Sequence, residues 1–113
     1  MAQNTVCRAG CLQELIGPLQ QQILNCGMSC ELVDSYGDRF GEVTVWVMIY
    51  EKYFMRSSNR ASLTLTLIET GGVVTANVMA SGGGQGAWHR FSWGTEESFA
   101  QSAWGALASM GFA

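Results

Sequence analysis

The sequence predicts an α+β fold: an antiparallel meander sheet of four to five strands, flanked by an N-terminal and a C-terminal helix packed on one face. Three observations lead there. Residues Glu42–Glu69, EVTVWVMIYEKYFMRSSNRASLTLTLIE, alternate at period two and are rich in β-branched and aromatic side chains. Leu12, Leu15, Ile16, Leu19 and Ile23 recur at helical spacing near the start. Phe99, Ala103, Ala106, Leu107 and Met110 do the same near the end. Helices at both ends of a meander can cover one face of its sheet.

Taken in order, Thr5–Arg8 reads as a short leading strand or a frayed end. An amphipathic helix follows, from about Cys11 to Asn25, with Gly27 ending it. Pro18 inside it removes one backbone hydrogen bond and crowds the preceding turn, which predicts a kink or a restart there. Ser29–Tyr36 reads as a strand and Gly37–Gly41 as a turn. The long hairpin comes next. Gly71-Gly72 makes a second tight turn, which places Ala76 across from Leu67 and Val78 across from Leu65. After Val73–Ser81 comes the glycine run Ser81–Gly86, then a short strand, Ala87–Trp93. Thr95 suits the cap of the last helix, because its hydroxyl can accept a hydrogen bond from a free backbone N–H. Glu96 and Glu97 suit the positive end of the helix dipole. Gly111 followed by Phe112 suits a glycine-terminated helix end with its hydrophobic contact. The ordering is similar to TBP-like and helix-grip folds, an analogy that carries no function.

The register of the long hairpin decides which side chains share a face. A three-residue loop, Ser57-Ser58-Asn59, suits asparagine at positive φ and places Leu67 across from Ile49 and Leu63 across from Tyr53. A slip of one residue would turn every side chain over. In this reading Val43, Val45, Val47 and Ile49 join the leucines on a dry face, and Glu51 points toward it near Leu65. Trp46, Met48, Tyr50 and Phe54 then form a second, aromatic face with Lys52, Arg56 and Arg60. That face is expected to be uncovered and to serve as an interface.

The chain has 113 residues, the size of one domain, 1–113, with no need of a staple. Hydrophobic residues make up 48% and charged residues 13%, well under the roughly 25% usual for soluble domains. A small charge-poor domain exposes neutral or apolar surface, which points to a homo-oligomer, a dimer first. The net charge of −3 disfavours nucleic acid and anionic lipid as partners. The N-terminal stretch lacks a signal-peptide pattern, and no apolar run is long enough to span a bilayer. A cytoplasmic location is the default expectation.

Four cysteines form two C-x-x-x-C pairs, Cys7/Cys11 and Cys26/Cys30. The spacing resembles the twin pattern of small intermembrane-space chaperones, over the first quarter of the chain alone. If one helix joins Cys11 to Cys26, its ends lie ~22 Å apart at about 1.5 Å per residue. One metal or one disulfide cannot bridge that distance. The favoured reading is four reduced, partly buried thiols, with no metal and no cofactor. The glycine run matches neither the Walker nor the Rossmann fingerprint. Its exposed N–H groups suit an anion all the same. Lys52, Arg56, Arg60, Gly82, Gly83, Gly84 and Arg90 therefore make a candidate site for a small anionic ligand. The one histidine, His89, and the strand carboxylate Glu51 form an alternative, enzymatic reading if one pocket holds both.

The stretches SCELVDSY, EKYFMRSSNRASLTLTL and SGGGQGAWHRFSWGTEESF together resemble a family of small single-domain bacterial proteins of unknown function, from about Gly10 to Phe112. The resemblance implies a stand-alone bacterial cytoplasmic domain and puts weight on the hairpin tip and the glycine run. It implies no mechanism. The leading function is a noncatalytic, self-associating binding module. The alternatives are the Glu51/His89 enzyme and a thiol or metal protein built on the cysteines.

Overall fold

Period-two alternation becomes five antiparallel strands, and the two apolar stripes become two helices. The computed structural model describes residues 5–26, 29–54, 58–82 and 93–113. The elements are β1 (Thr5–Ala9), α1 (Leu12–Leu24), β2 (Cys30–Phe40), β3 (Val43–Phe54), β4 (Asn59–Thr70), β5 (Val73–Gly82) and α2 (Trp93–Ser109). They make one sheet in the order β1-β5-β4-β3-β2. The leading strand is thus real. It pairs with β5, so α1 links the two opposite edges of the sheet.

Both helices pack on one side. Among the described residues, every buried strand residue lies on that side: Met48 and Tyr50 from β3, Ala61, Leu63, Leu65 and Leu67 from β4, and Val74, Ala76 and Val78 from β5. Leu12, Leu15, Leu19 and Ile23 meet them from α1, and Phe99, Ala103, Ala106 and Leu107 from α2.

The register of the long hairpin differs from the sequence expectation. Phe54 pairs with Asn59, so Tyr50 sits across from Leu63, Met48 across from Leu65 and Trp46 across from Leu67. The pairing is displaced by an odd number of residues, and Ser58 takes positive φ, at 56°. The change of parity turns β3 over. Trp46, Met48, Tyr50 and Phe54, expected on an uncovered interface, lie on the helix-covered side. Met48 and Tyr50 are fully buried there, and Trp46 and Phe54 pack against the core. The large side chains bury more apolar area than the valines would, and burial scales with that area. Burial also raises the pKa of the Tyr50 hydroxyl, with a smaller contribution from Cys30.

Two further differences concern lengths. Strand β2 continues through Gly37 to Phe40, and the turn shrinks to Gly41-Glu42. Gly37 stays in the strand because the Trp46 ring lies on it: a Cβ there would fall 1.9 Å from Trp46 Cε3. Helix α2 begins at Trp93, so Thr95 lies inside its first turn and Trp93 belongs to no strand. The rest of the expected Ala87–Trp93 strand lies outside the described residues.

Other expectations hold. The Gly71-Gly72 turn has both residues at positive φ, 59° and 78°, and sets Ala76 against Leu67 and Val78 against Leu65. At the end of α2, Phe112 N donates to Leu107 O and Gly111 N to Ala108 O, both at 3.1 Å, with Gly111 at φ 93°. This is the glycine-terminated pattern with Phe112 buried. The restart expected at Pro18 does not occur: helix α1 runs from Leu12 to Leu24 through Gly17-Pro18, which face water. Its first turn has no local side-chain cap. Glu69 of β4 supplies the acceptor instead, taking a hydrogen bond from Leu12 N at 2.8 Å.

Candidate functional site

Among the described residues, no helix lies on the other side of the sheet. Val43, Val45, Val47 and Ile49 of β3 lie there, all half-buried. Thr64 and Thr66 of β4 pair with Ile49 and Val47. On the far side of β3, Tyr36 pairs with Val47 and Phe40 with Val43. Six of the exposed large apolar side chains belong to this face, with Tyr36 and Met79 at 59% and Phe40 at 57%. They are spread over β2 (Tyr36, Phe40), β3 (Tyr53), β4 (Ile68) and β5 (Val73, Met79), around the half-buried β3 stripe. Strands β5 and β1 add Thr75, Asn77 and Cys7 to a neutral flank.

Among the described residues, the charges on this face are Glu51 and Arg60 near the hairpin tip, Glu31 across from Glu51, and Asp34 and Asp38 of β2, which pair with Ile49 and Val45. Glu51 and Arg60 form an ion pair at 3.4 Å, with side chains 41% and 63% exposed. Glu51 is therefore a solvated partner of Arg60 and does not point toward Leu65 and the core. Asp38 accepts a hydrogen bond from the Tyr36 hydroxyl at 3.3 Å, and its charge raises the Tyr36 pKa. A shallow hollow lies between Asp34, Ser35, Tyr36, Val47 and Ile49, where a bulge between Leu32 and Asp34 bends β2.

The edges offer no comparable surface. Along β1, Cys7 and Ala113 exchange backbone hydrogen bonds at 3.2 and 3.0 Å, so the last residue closes that edge. The Arg8 guanidinium donates to Met110 O at 2.6 Å and fixes the end of α2 beside it. Along β2, the bulge, Asp34, Asp38 and Arg39 interrupt the ladder with charge, features that discourage strand addition.

The predicted anion site is divided. Lys52 lies on the helix side, where its Nζ donates to Cys26 O at 3.0 Å and sits 4.7 Å from the centre of the Phe54 ring. Arg60 lies on the opposite face. Gly82 ends β5 across from Ala61. Arg56, Gly83, Gly84 and Arg90 lie outside the described residues, and so does His89, the expected companion of Glu51. The cysteines are also distributed. Cys7 is exposed on the uncovered face and Cys11 precedes α1, whereas Cys26 and Cys30 meet beyond its other end. No group of three or more potential metal ligands occurs among the described residues.

Against this geometry, comparison with protein families is informative in one respect. The model of a family of unknown function, DUF6054, matches residues 1–111. The chain belongs to that family. The match extends across both helices and all five strands of the sheet, so the uncovered face lies wholly within the family region. No curated protein matches the chain. No helix among the described residues is long and apolar enough to cross a membrane. Glu51, which the expected register turned toward the leucines, instead finds Arg60 as its partner on the other face.

Proposed function

We propose that this chain is a noncatalytic binding module of the bacterial cytoplasm that self-associates through the uncovered sheet face. The observation that carries the reading is the chemistry of that face. Val43, Val45, Val47 and Ile49 form an apolar stripe with the neutral Thr64 and Thr66 on its β4 side, Tyr36 and Phe40 alternating with Asp34 and Asp38 on its β2 side, and the Glu51–Arg60 pair at one end. Burial of such a surface is favourable at roughly 25 cal/mol per Å². Four free thiols suit a reducing compartment.

The occupant is a second copy of the chain. Strands of ten to twelve residues over most of the sheet give a face about 24 by 35 Å, from ~4.8 Å between strands and ~3.3 Å per residue. That is on the order of 800 Å², the area one partner contributes to a standard stable interface. Two such faces related by a two-fold axis place β3 against β3, apolar stripe on apolar stripe, with sheets ~10 Å apart. Edge pairing is disfavoured, because Ala113 closes one edge and charge and a bulge mark the other.

Light scattering on two lysine variants tests the reading. Val47→Lys places a charge within the apolar stripe and is expected to give a monomer with an unchanged circular dichroism spectrum. Gln21→Lys, on the exposed side of α1, is expected to leave the dimer intact. If Val47→Lys associates as the unaltered chain does, the face is not the interface.

A further inference from the structure

The end of α1 carries a pair of thiols that the binding face does not use. Cys26 N donates to Ile23 O at 3.1 Å, and the Cys30 thiol donates to the same carbonyl at 3.5 Å. Both half-buried cysteines are thus held at one carbonyl, close enough for Cys26 to help raise the Cys30 pKa. Lys52, which pairs with Cys30 across β2 and β3, brings its ammonium to Cys26 O at 3.0 Å. Two cysteines held at one carbonyl beside a fixed cation suit thiol–disulfide exchange.

The geometry points to Cys26 and Cys30 as a reversible dithiol–disulfide pair, oxidised by low-molecular-weight disulfides, with Cys26 as the attacking sulfur. The roles follow from their surroundings. Burial, then the hydrogen bond and charge of Cys26, push the Cys30 thiol up to about 12, so it keeps its proton while Cys26 reacts. The Cys26 thiolate attacks one sulfur of the small disulfide, forms a mixed disulfide and releases one thiolate. Cys30 then gives its proton to solvent and attacks the Cys26 sulfur, expelling the second thiolate. The protein loses two electrons and two protons, and one small disulfide becomes two thiols. A dithiol in excess reverses the reaction.

The test uses the full chain carrying Cys7→Ser and Cys11→Ser, reduced and then equilibrated with mixtures of reduced and oxidised glutathione. Intact-mass analysis is expected to show the loss of two hydrogens, without a lasting glutathione adduct. Adding Cys30→Ser is expected to trap one glutathione on Cys26. Adding Cys26→Ser instead is expected to slow modification of Cys30 at least tenfold. Two stable adducts, disulfide-linked dimers or no oxidation at the most oxidising mixture would overturn the proposal. If a variant fails to fold, peptide mapping of the oxidised unaltered chain decides: a Cys26–Cys30 link supports the pair, and a bridge to Cys7 or Cys11, or none, refutes it.

Discussion

The two sides of this sheet are built from the same strands and meet opposite fates. On the covered side Leu63, Leu65, Leu67, Met48 and Tyr50 have no exposed surface at all. On the uncovered side Val45, Val47, Ile49, Thr64 and Thr66 are half-buried, and Tyr36, Phe40 and Met79 stand well exposed. Strand β4 distinguishes the sides by chemistry, leucine against threonine. Strand β3 does not, since it is apolar on both. An antiparallel sheet with one solvated face normally alternates apolar and polar residues. The central strand β3 abandons that alternation, and the described helices pack on one of its two faces.

The largest difference between the sides should appear on truncation. Leu65→Ala removes a fully buried side chain among Met48, Val78 and the helices, and is expected to cost ~2–5 kcal/mol in urea unfolding. Thr66→Ala, its neighbour on the other face, is expected to cost under about 1 kcal/mol at concentrations where the chain is monomeric. Equal losses would erase the distinction between core and interface.

Next in size is the close approach of Gly37 to the Trp46 ring. Gly37→Ala would push its Cβ into the Trp46 ring and is expected to cost about 1–3 kcal/mol. Trp46→Leu in the same chain should recover part of that loss, because the ring is what the methyl group meets. Smaller again is the cap across the layers. Glu69→Ala leaves Leu12 N without its acceptor, at an expected cost of about 1 kcal/mol.

A pH series sharpens the comparison through groups on the covered side. Cys30 and Tyr50 both hold their protons more tightly folded than unfolded. The Cys30 contribution is complete below pH 9 and is lost as the pH rises through about 12, whereas that of Tyr50 is complete below pH 10 and persists to higher pH. Tyr50→Phe and Cys30→Ser should each flatten the alkaline decline in urea midpoints. A decline unchanged in both variants would place its source elsewhere.

Much of the fold was legible because several local signals agreed. Gly71-Gly72 demanded positive φ, and its two-residue length fixed the pairing of β4 with β5. The stripes of α1 and α2, and Gly111-Phe112 at the end of the chain, were equally clear. The side of β3 was not. Valines on one face and Trp46, Met48 and Tyr50 on the other gave hydrophobicity no means to choose, so the decision fell to a loop whose parity no turn residue fixed. The charge of Glu51 held the answer, since only one parity lets it reach Arg60 and water. Gly37 misled for a related reason. It read as a turn residue, whereas its lack of a side chain serves the aromatic ring on the neighbouring strand. The candidate anion site drew together basic residues close in sequence, but alternation sends Lys52 and Arg60 to opposite faces.

The account turns on the bare face being covered by a second copy of the chain. Sedimentation equilibrium of the unaltered protein over a wide concentration range tests this most directly. The predicted result is a reversible monomer–dimer equilibrium, with dimer dominant at high concentration. A single species at the monomer mass of 12.2 kDa up to the highest concentration reached would contradict it.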